Sequence, residues 1–200
     1  MTDIRDLQNQ ELVFFDVETT GLSPGNGDRV VEIAALKVKG LKPVARFHSL
    51  VDPRRDISWG AFAVNRITPE MLRGAPVAGE VLPEFLDFWG GACLVGHHVR
   101  FDLGFLMSEL SLSGLSCPSP VHAIDTVRLA RSVMPGLDRY SLVSVAYALG
   151  VADSQRHRAM EDVELTFAIF RKLLEKAAWV SSGLVVEFLG SCVEEYSVSV

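Results

Sequence analysis

Residues 11–17, "ELVFFDV", form an apolar run almost without interruption. Such a run predicts a strand buried on both faces. The next segment, "TTGLSPGNGD", is dense in turn formers and reads as a loop. "RVVEIAALKV" and "PVARFHSLV" read as two further strands joined by a short turn around Gly40, so the chain begins with three strands in antiparallel succession. "DPRRDISWG" follows as a loop. Thr68 and Pro69 have the form of a helix N-cap with proline at the first helical position. "GEVLPEFLDFWGG" carries helical spacing and stops at paired glycines, "ACLVGH" is a short buried strand, and "FDLGFLMSELSLSG" is an apolar-rich helix. "VHAI" reads as the last strand. Asp125 and Thr126 open the helix "DTVRLARSVM", "SLVSVAYALG" is a helix ending at Gly150, and a long helix runs from Arg158 to Val180.

Strands first, then strands alternating with helices, predict an α/β class with a mixed sheet. The 200 residues suffice for one domain with a sizeable core, expected over residues 8–178, with a tail over 179–200 that packs on the domain or on a partner. Hydrophobic residues at 48% and charged residues at 22% fit a soluble globular chain. The formal charge of −6 counts against a tight non-specific grip on long duplexes. It does not exclude a nucleic-acid enzyme whose acids hold metal, because two bound divalent cations would cancel most of it. Cys93, Cys117 and Cys192 are odd in number and contain no CxxC pair, which fits reduced thiols in a cytoplasm better than disulfides or a zinc knuckle. "MTDIRDLQNQ" lacks the apolar core of a signal peptide, and "AAWVSSGLVVEFLGSCV" is broken by Ser181, Ser182, Gly183 and Glu187. The expectation is a cytoplasmic protein without a membrane partner.

Asp16 and Glu18 stand two residues apart on the first strand and so point to one side. They lie at its C-terminal end, the edge where open α/β sheets place ligands. Two anions this close repel and are costly to desolvate, and a hard divalent cation with oxygen ligands, Mg²⁺ or Mn²⁺, removes both problems. An isolated DxE is common by chance, so the pair gains meaning only if further acids converge. Asp102 in "GHHVRFDLGFL" and Asp162 in "HRAMEDVELTF" are the candidates, although each alone also reads as a first-turn acid favoured by the helix dipole. His157 precedes Asp162 by five residues, roughly 140° around an ideal helix of about 3.6 residues per turn. The two converge only if His157 sits on the entry loop, which the loop-like "DSQRH" permits. Alone, His157 reads better as an exposed loop histidine.

Together these segments resemble the DEDDh 3′–5′ exonucleases, the DnaQ-like group that includes the proofreading epsilon subunit of bacterial DNA polymerase III. "FDVETTGL" is similar to the first exonuclease motif (Asp16, Glu18), "GHHVRFDLGFL" to the second (Asp102), and "HRAMED" to the third (His157, Asp162). The weaker "NRITPEM" and "DTVRLAR" also sit where the family has similar segments. The resemblance spans residues 10–176. It implies a ribonuclease H-like fold, a five-stranded mixed sheet flanked by helices, with two divalent metal ions, Mg²⁺ or Mn²⁺, held by four acids. In that arrangement Asp16 bridges both metals, Glu18 and Asp162 complete one site, and Asp102 holds the second ion through water. His157 takes the proton of the attacking water, and nucleoside 5′-monophosphates leave from a 3′ end.

The resemblance also implies that the backbone at Thr19 and Thr20 meets the terminal 3′ hydroxyl, that Gly21 lets the chain turn, and that Leu22 wedges against the last base. Val64 and Asn65 would line the same pocket, and Phe101 would stack there. Leu22 packed inward and Phe101 in the core are the bland alternatives. Three departures stand out: His98 at the usual asparagine place, "VNRIT" for the commoner VHGIT, and Arg100 for a small residue. The clearest basic spots, Arg54–Arg55 and Arg156/Arg158, read either as phosphate contacts or as solvated loops. The implied partners are a single-stranded DNA or RNA 3′ end and, for a proofreading role, a DNA polymerase subunit. Monomer and homodimer both stay open. Two other classes compete: a phosphodiesterase on very short oligonucleotides, and a non-catalytic module docking nucleic acid or polymerase.

Overall fold

The computed structural model describes residues 10–117, 120–178 and 193–196. Its centre is a mixed sheet in the order β3-β2-β1-β4-β5-β6. β1 (Glu11–Thr19), β2 (Val30–Lys39) and β3 (Lys42–Leu50) form the antiparallel meander that the three leading strands predict. β4 (Cys93–Gly96) lies parallel to β1, and β5 (Val121–Asp125) lies parallel to β4. The five expected strands are all present. β6 (Val193–Tyr196), from the tail, adds a sixth by pairing antiparallel with β5. The other tail residues lie outside the described ones.

Among the described residues six α-helices flank the sheet: α1 (Trp59–Asn65), α2 (Ala78–Trp89), α3 (Val99–Leu112), α4 (Thr126–Val133), α5 (Leu142–Ala148) and α6 (Ala159–Ala178). Strand alternation splits β1 between two cores. Leu12 and Phe14 enter the layer built from α4, α5 and α6, whereas Val13, Phe15 and Val17 enter the layer built from α2 and α3. That is why the apolar run of β1 has no gaps. The same parity turns Asp16 and Glu18 toward the α6 layer.

Two local expectations are corrected. The Thr68–Pro69 cap starts no helix: the Thr68 hydroxyl accepts from the Met71 amide at 3.3 Å, and residues 69–74 make only turns, ended by Gly74 at φ 80°. A helix forms earlier instead, over Trp59–Asn65, where the loop reading extended to Trp59 and Gly60. Ser58 caps it by accepting from the Ala61 amide at 3.2 Å. Only Asn65 of this helix is buried, so it carries no apolar periodicity to read.

Phe14 is fully buried, and its ring meets Phe167 and Phe170 edge-on at 5.1 and 5.3 Å. Phe14→Ala is expected to cost about 3–5 kcal/mol of stability. A lower urea midpoint with an unchanged slope checks it.

Candidate active site

The site forms where β1 outruns β4. Pairing between the two strands ends at Phe14 and Val95, so the last residues of β1 have an open edge toward β4. Asp102, in the first turn of α3, fills part of that gap: its Oδ1 accepts from the Val17 amide at 3.0 Å. The strand register shifts between Glu18 and Thr19, a bulge of the kind that re-aims side chains beside sites.

Asp16, Glu18 and Asp162 each offer a carboxylate oxygen, and these oxygens lie within 4.8 Å of one another. Asp162 comes from the first turn of α6, packed on the face of β1 that carries Asp16 and Glu18. Asp102 lies deeper, 3% exposed and turned to the Val17 amide. His157 precedes α6 in a left-handed conformation, φ 51°, which places its Nδ1 4.0 Å from Asp162 Oδ2. The entry-loop position that convergence requires is therefore realised.

Burial holds Asp16 well above the usual carboxylate range, reinforced by the charges of Asp102 and Glu18. Glu18 is pushed up to about 8 by burial and by Asp162 and Glu32. Asp102 reaches about 8, chiefly by burial, with the Val17 amide opposing. Asp162 is also raised by burial, against a 2.5 Å hydrogen bond from Gln155 Nε2. Four carboxyls therefore share a space in which they cannot all ionise without cations. Hard oxygen donors converging from β1 and α6 fit a divalent cation.

Glu32 is a fifth acid that the motifs did not single out. It stands opposite Glu18 on β2 and is 1% exposed. Burial raises its pKa, but its partners win and the net direction is downward. Arg158 donates through Nε at 3.0 Å and Nη2 at 2.6 Å, the Ala159 amide donates at 3.1 Å, and His48 Nε2 lies 2.7 Å away. Glu32 thus fixes the start of α6 between His157 and Asp162. The signal available in the sequence was a charge inside the apolar run "VVEIAA".

The loop after Glu18 is tied on every side. The Thr20 amide donates to Arg29 O at 2.8 Å, and its carbonyl accepts from the Ser58 amide at 3.0 Å. Thr19 Oγ1 donates to Gly21 O at 2.6 Å. Asn65 is 1% exposed, donating to Thr19 O at 3.2 Å and accepting from the Ile67 amide at 3.0 Å, so it braces the loop rather than facing a cleft. Asp28 accepts from Thr20 Oγ1 and the Ser23 amide. It packs so close under Gly21 that a Cβ there would lie 2.3 Å from its Oδ2. Gly21 is required by that approach. Leu22 projects outward at 85% exposure, and Val64 and Phe101 are partly exposed, with Phe101 against Phe105 at 5.0 Å.

The basic spots are largely occupied. Arg158 is held by Glu32, Arg156 by Glu161 at 3.3 Å, Arg54 by Asp52 at 3.1 Å, and Arg55 by Asp28 at 3.4 Å. His98 takes φ 64° at the N-cap of α3, and its amide donates to Asp125 Oδ1 at 3.2 Å. Asparagine and histidine both tolerate that left-handed position better than most residues, which accounts for the exchange of one for the other. Cys93 and Cys117 are free thiols, and burial raises Cys93 to about 12. No helix among the described residues is long and apolar enough to cross a membrane.

Two outcomes follow from these charges. Glu18 and Asp102 hold protons in the cation-free fold that the unfolded chain has already lost above its ordinary carboxylate range. Their contribution to stability is complete at acid pH and is lost as pH rises toward about 8. In EDTA the melting temperature should fall from pH 6 to pH 8.5, and Mn²⁺ should flatten that slope; calorimetric scans check it. Glu32→Gln should weaken the grip on Arg158 and lower stability by about 1–2 kcal/mol, read by urea denaturation, because a charged acceptor is replaced by a neutral one while the Arg158 head stays partly hydrated.

The RNase T family model, described as an exonuclease, matches residues 13–170. The PolC-type DNA polymerase III of Clostridium perfringens (strain 13 / Type A) is 39% identical over 172 residues, covering 84% of this chain and 12% of the polymerase. The 3′–5′ exonuclease DinG of Bacillus subtilis (strain 168) is 35% identical over 170 residues, covering 85% of this chain and 18% of DinG. The chain thus spans less than a fifth of either relative. Among solved structures, Exonuclease X in complex with 5′ overhanging duplex DNA superposes with a TM-score of 0.69 at 28% identity, over 90% of this chain and 99% of that one. With most of its length matched by the family model, and with the acids converging at the C-terminal end of a central strand, this chain belongs to the RNase T family of exonucleases.

Proposed function

We propose that the chain is a metal-dependent 3′–5′ exonuclease that releases nucleoside 5′-monophosphates from single-stranded DNA. The observation that carries this reading is the convergence of Asp16, Glu18 and Asp162 within 4.8 Å, with His157 on its rim. The names of the relatives support the polarity and the choice of DNA. Asp16, Glu18 and Asp162 would hold one divalent cation, and Asp16 with Asp102 a second, Mg²⁺ or Mn²⁺. Such ions supply charge neutralisation at the phosphate and at the attacking and leaving oxygens.

The chain's own residues do the rest. His157 is half-exposed and beside Asp162, in position to take a proton from water approaching the cluster. Asn65 and Asp28 hold the Thr19–Leu22 loop rigid, so Leu22 meets the last base as a fixed apolar edge. Val64 and Phe101 offer further exposed apolar surface for that base. The docking-module reading is disfavoured because all five residues of the motif set are present and the fold draws them together. The setting within a larger polymerase assembly is part of the proposal, since the relatives that carry this segment are much longer.

The test is degradation of matched 5′-labelled single-stranded DNA and RNA oligonucleotides with Mn²⁺, with EDTA, and with Asp102→Ala. A ladder shortening one nucleotide at a time, abolished by EDTA and by Asp102→Ala, is the expected result, with DNA the faster polymer. His157→Gln should retain metal binding by titration calorimetry and lose about 10²–10⁴-fold in rate. No shortening of either polymer by metal-loaded protein would overturn the reading.

A further inference from the structure

Helix α3 carries a second buried acid two turns beyond Asp102. Glu109 is 2% exposed. Seven residues along an α-helix return to within roughly 20° of the same face, so both carboxylates point from α3 toward the open end of the β1–β2 hairpin. Asp102 accepts from the Val17 amide of β1, and Glu109 Oε1 accepts from the amide of Val30, the first residue of β2, at 3.0 Å. Arg29 completes the arrangement. Its Nε donates to Glu109 Oε1 at 2.8 Å and its Nη2 to Oε2 at 2.7 Å, a bidentate grip across 80 positions of sequence. This ion pair stands outside the motif set and takes no part in the proposed chemistry.

The backbone of Arg29 holds the loop that follows Glu18. Thr20 is fully buried: its amide donates to Arg29 O at 2.8 Å, and its Oγ1 accepts from the Arg29 amide at 3.0 Å. Arg29 is thus tied to the loop through its main chain and to α3 through its side chain. The other braces anchor the loop less firmly. Asp28 belongs to the loop itself, and Asn65 comes from α1, a helix that buries no other residue. Glu109 is set in the body of the protein, because Leu103, Phe105, Leu106 and Leu110 root α3 in the core. A carboxylate this deep is costly without donors, and three N–H groups satisfy it here. Buried pairs of this kind add little net stability, whereas a two-point grip fixes direction.

We propose that Glu109 and Arg29 are positioning residues for the terminal-nucleotide loop: the pair fixes residues 19–22, and with them the exposed Leu22 side chain, against the helix that bears Asp102. The inference rests on the exonuclease reading, and it assigns a residue pair to that site's grip on the strand end. α3 keeps its place through its apolar face when the pair is broken, so Asp102 stays and the loop is released. The cost then falls on binding of the terminal nucleotide and not on the chemical step. β2 becomes the common reference for both helices of the site. Glu32 on β2 holds the start of α6 through Arg158, and Arg29 with Val30 at the head of β2 holds α3.

The test uses two variants. Glu109→Gln keeps an acceptor for the Val30 amide and loses the charge, and Arg29→Lys keeps the charge and loses the fork. Both are assayed with Mn²⁺ on 5′-labelled single-stranded DNA, at a temperature where circular dichroism shows each variant folded. One substrate ends in an ordinary 3′ nucleotide, and a matched one ends in an abasic 3′ residue that gives Leu22 no base to meet. In Glu109→Gln, KM on the ordinary end should rise about tenfold with kcat within about twofold, and the kcat/KM preference for the ordinary end should shrink about tenfold. Arg29→Lys should fall between that variant and the wild type, and it carries both readouts if Glu109→Gln does not fold. A preference that stays at the wild-type value, whatever happens to kcat, overturns the proposal. Amide exchange followed by NMR reads the loop without turnover. The Thr20 and Arg29 amides should exchange about tenfold faster in the variants while those of Phe14 and Phe15 keep their wild-type rates. Uniform acceleration along β1, or unchanged rates at Thr20 and Arg29, overturns the proposal. Should the wild type shorten no DNA, the exonuclease reading fails, and the exchange rates alone decide whether the pair fixes the loop.

Discussion

Burial and the charges of Asp102, Glu18, Asp162 and Glu32 all act against ionisation of Asp16, and most of this architecture is arranged around that conflict. A carboxylate moved from water into a protein interior costs several kcal/mol unless it is paired. Here several such groups meet at the C-terminal end of β1. The fold solves one of them internally, by giving Glu32 to Arg158, and leaves the other four with raised pKa values. An acid cluster of this kind is stable only when protonated or when cations occupy it. A bound cation would meet that requirement.

The Glu32–Arg158 pair shows how the positioning works. Its geometry is bidentate, which fixes direction as well as distance. Arg158 follows His157, and Glu32 also accepts from the Ala159 amide, so one buried carboxylate orients both the left-handed residue at 157 and the first turn that bears Asp162. Arg158 also lowers Glu18, so this cation is divided between two acids. Burying an ion pair yields little net stability on its own. Its use here is geometric, since it holds one residue proposed to move a proton and another proposed to hold a metal on adjacent turns of chain.

Much of this was legible in the sequence because strand parity is strict. Asp16 and Glu18 had to share a face, and the apolar residues flanking them fixed the strand as buried on both sides. Asp102, His157 and Asp162 were legible only as members of a motif set, since the two acids alone read as first-turn residues and the histidine alone as an exposed loop residue. Glu32 was missed because nothing in its spacing links it to Arg158, which lies 126 positions away. Gln155 left no signal at all. The Thr68–Pro69 cap was overridden because the chain turns back at Gly74 before a helix can grow, and α1 was overlooked because it buries a single residue. The pairing of Val193–Tyr196 with β5 depends on tertiary placement of a segment whose sequence fits a strand or a helix equally well.

The distribution of arginines carries the argument one step further. A chain of formal charge −6 that engages its most conspicuous arginines in internal pairs has few cations left for a polyanion. Grip on a long duplex would need a basic track, because counterion release scales with the number of phosphates neutralised. Arg131 and Arg139 line a cavity beside the cluster, with Arg131 stacked on Tyr140. On the proposed reading, attraction for nucleic acid would be concentrated at the cluster, where bound divalent cations would dominate the local field. On the proposed exonuclease reading, recognition would fall on the end of a strand, where the exposed apolar side chain of Leu22 could meet an unpaired base.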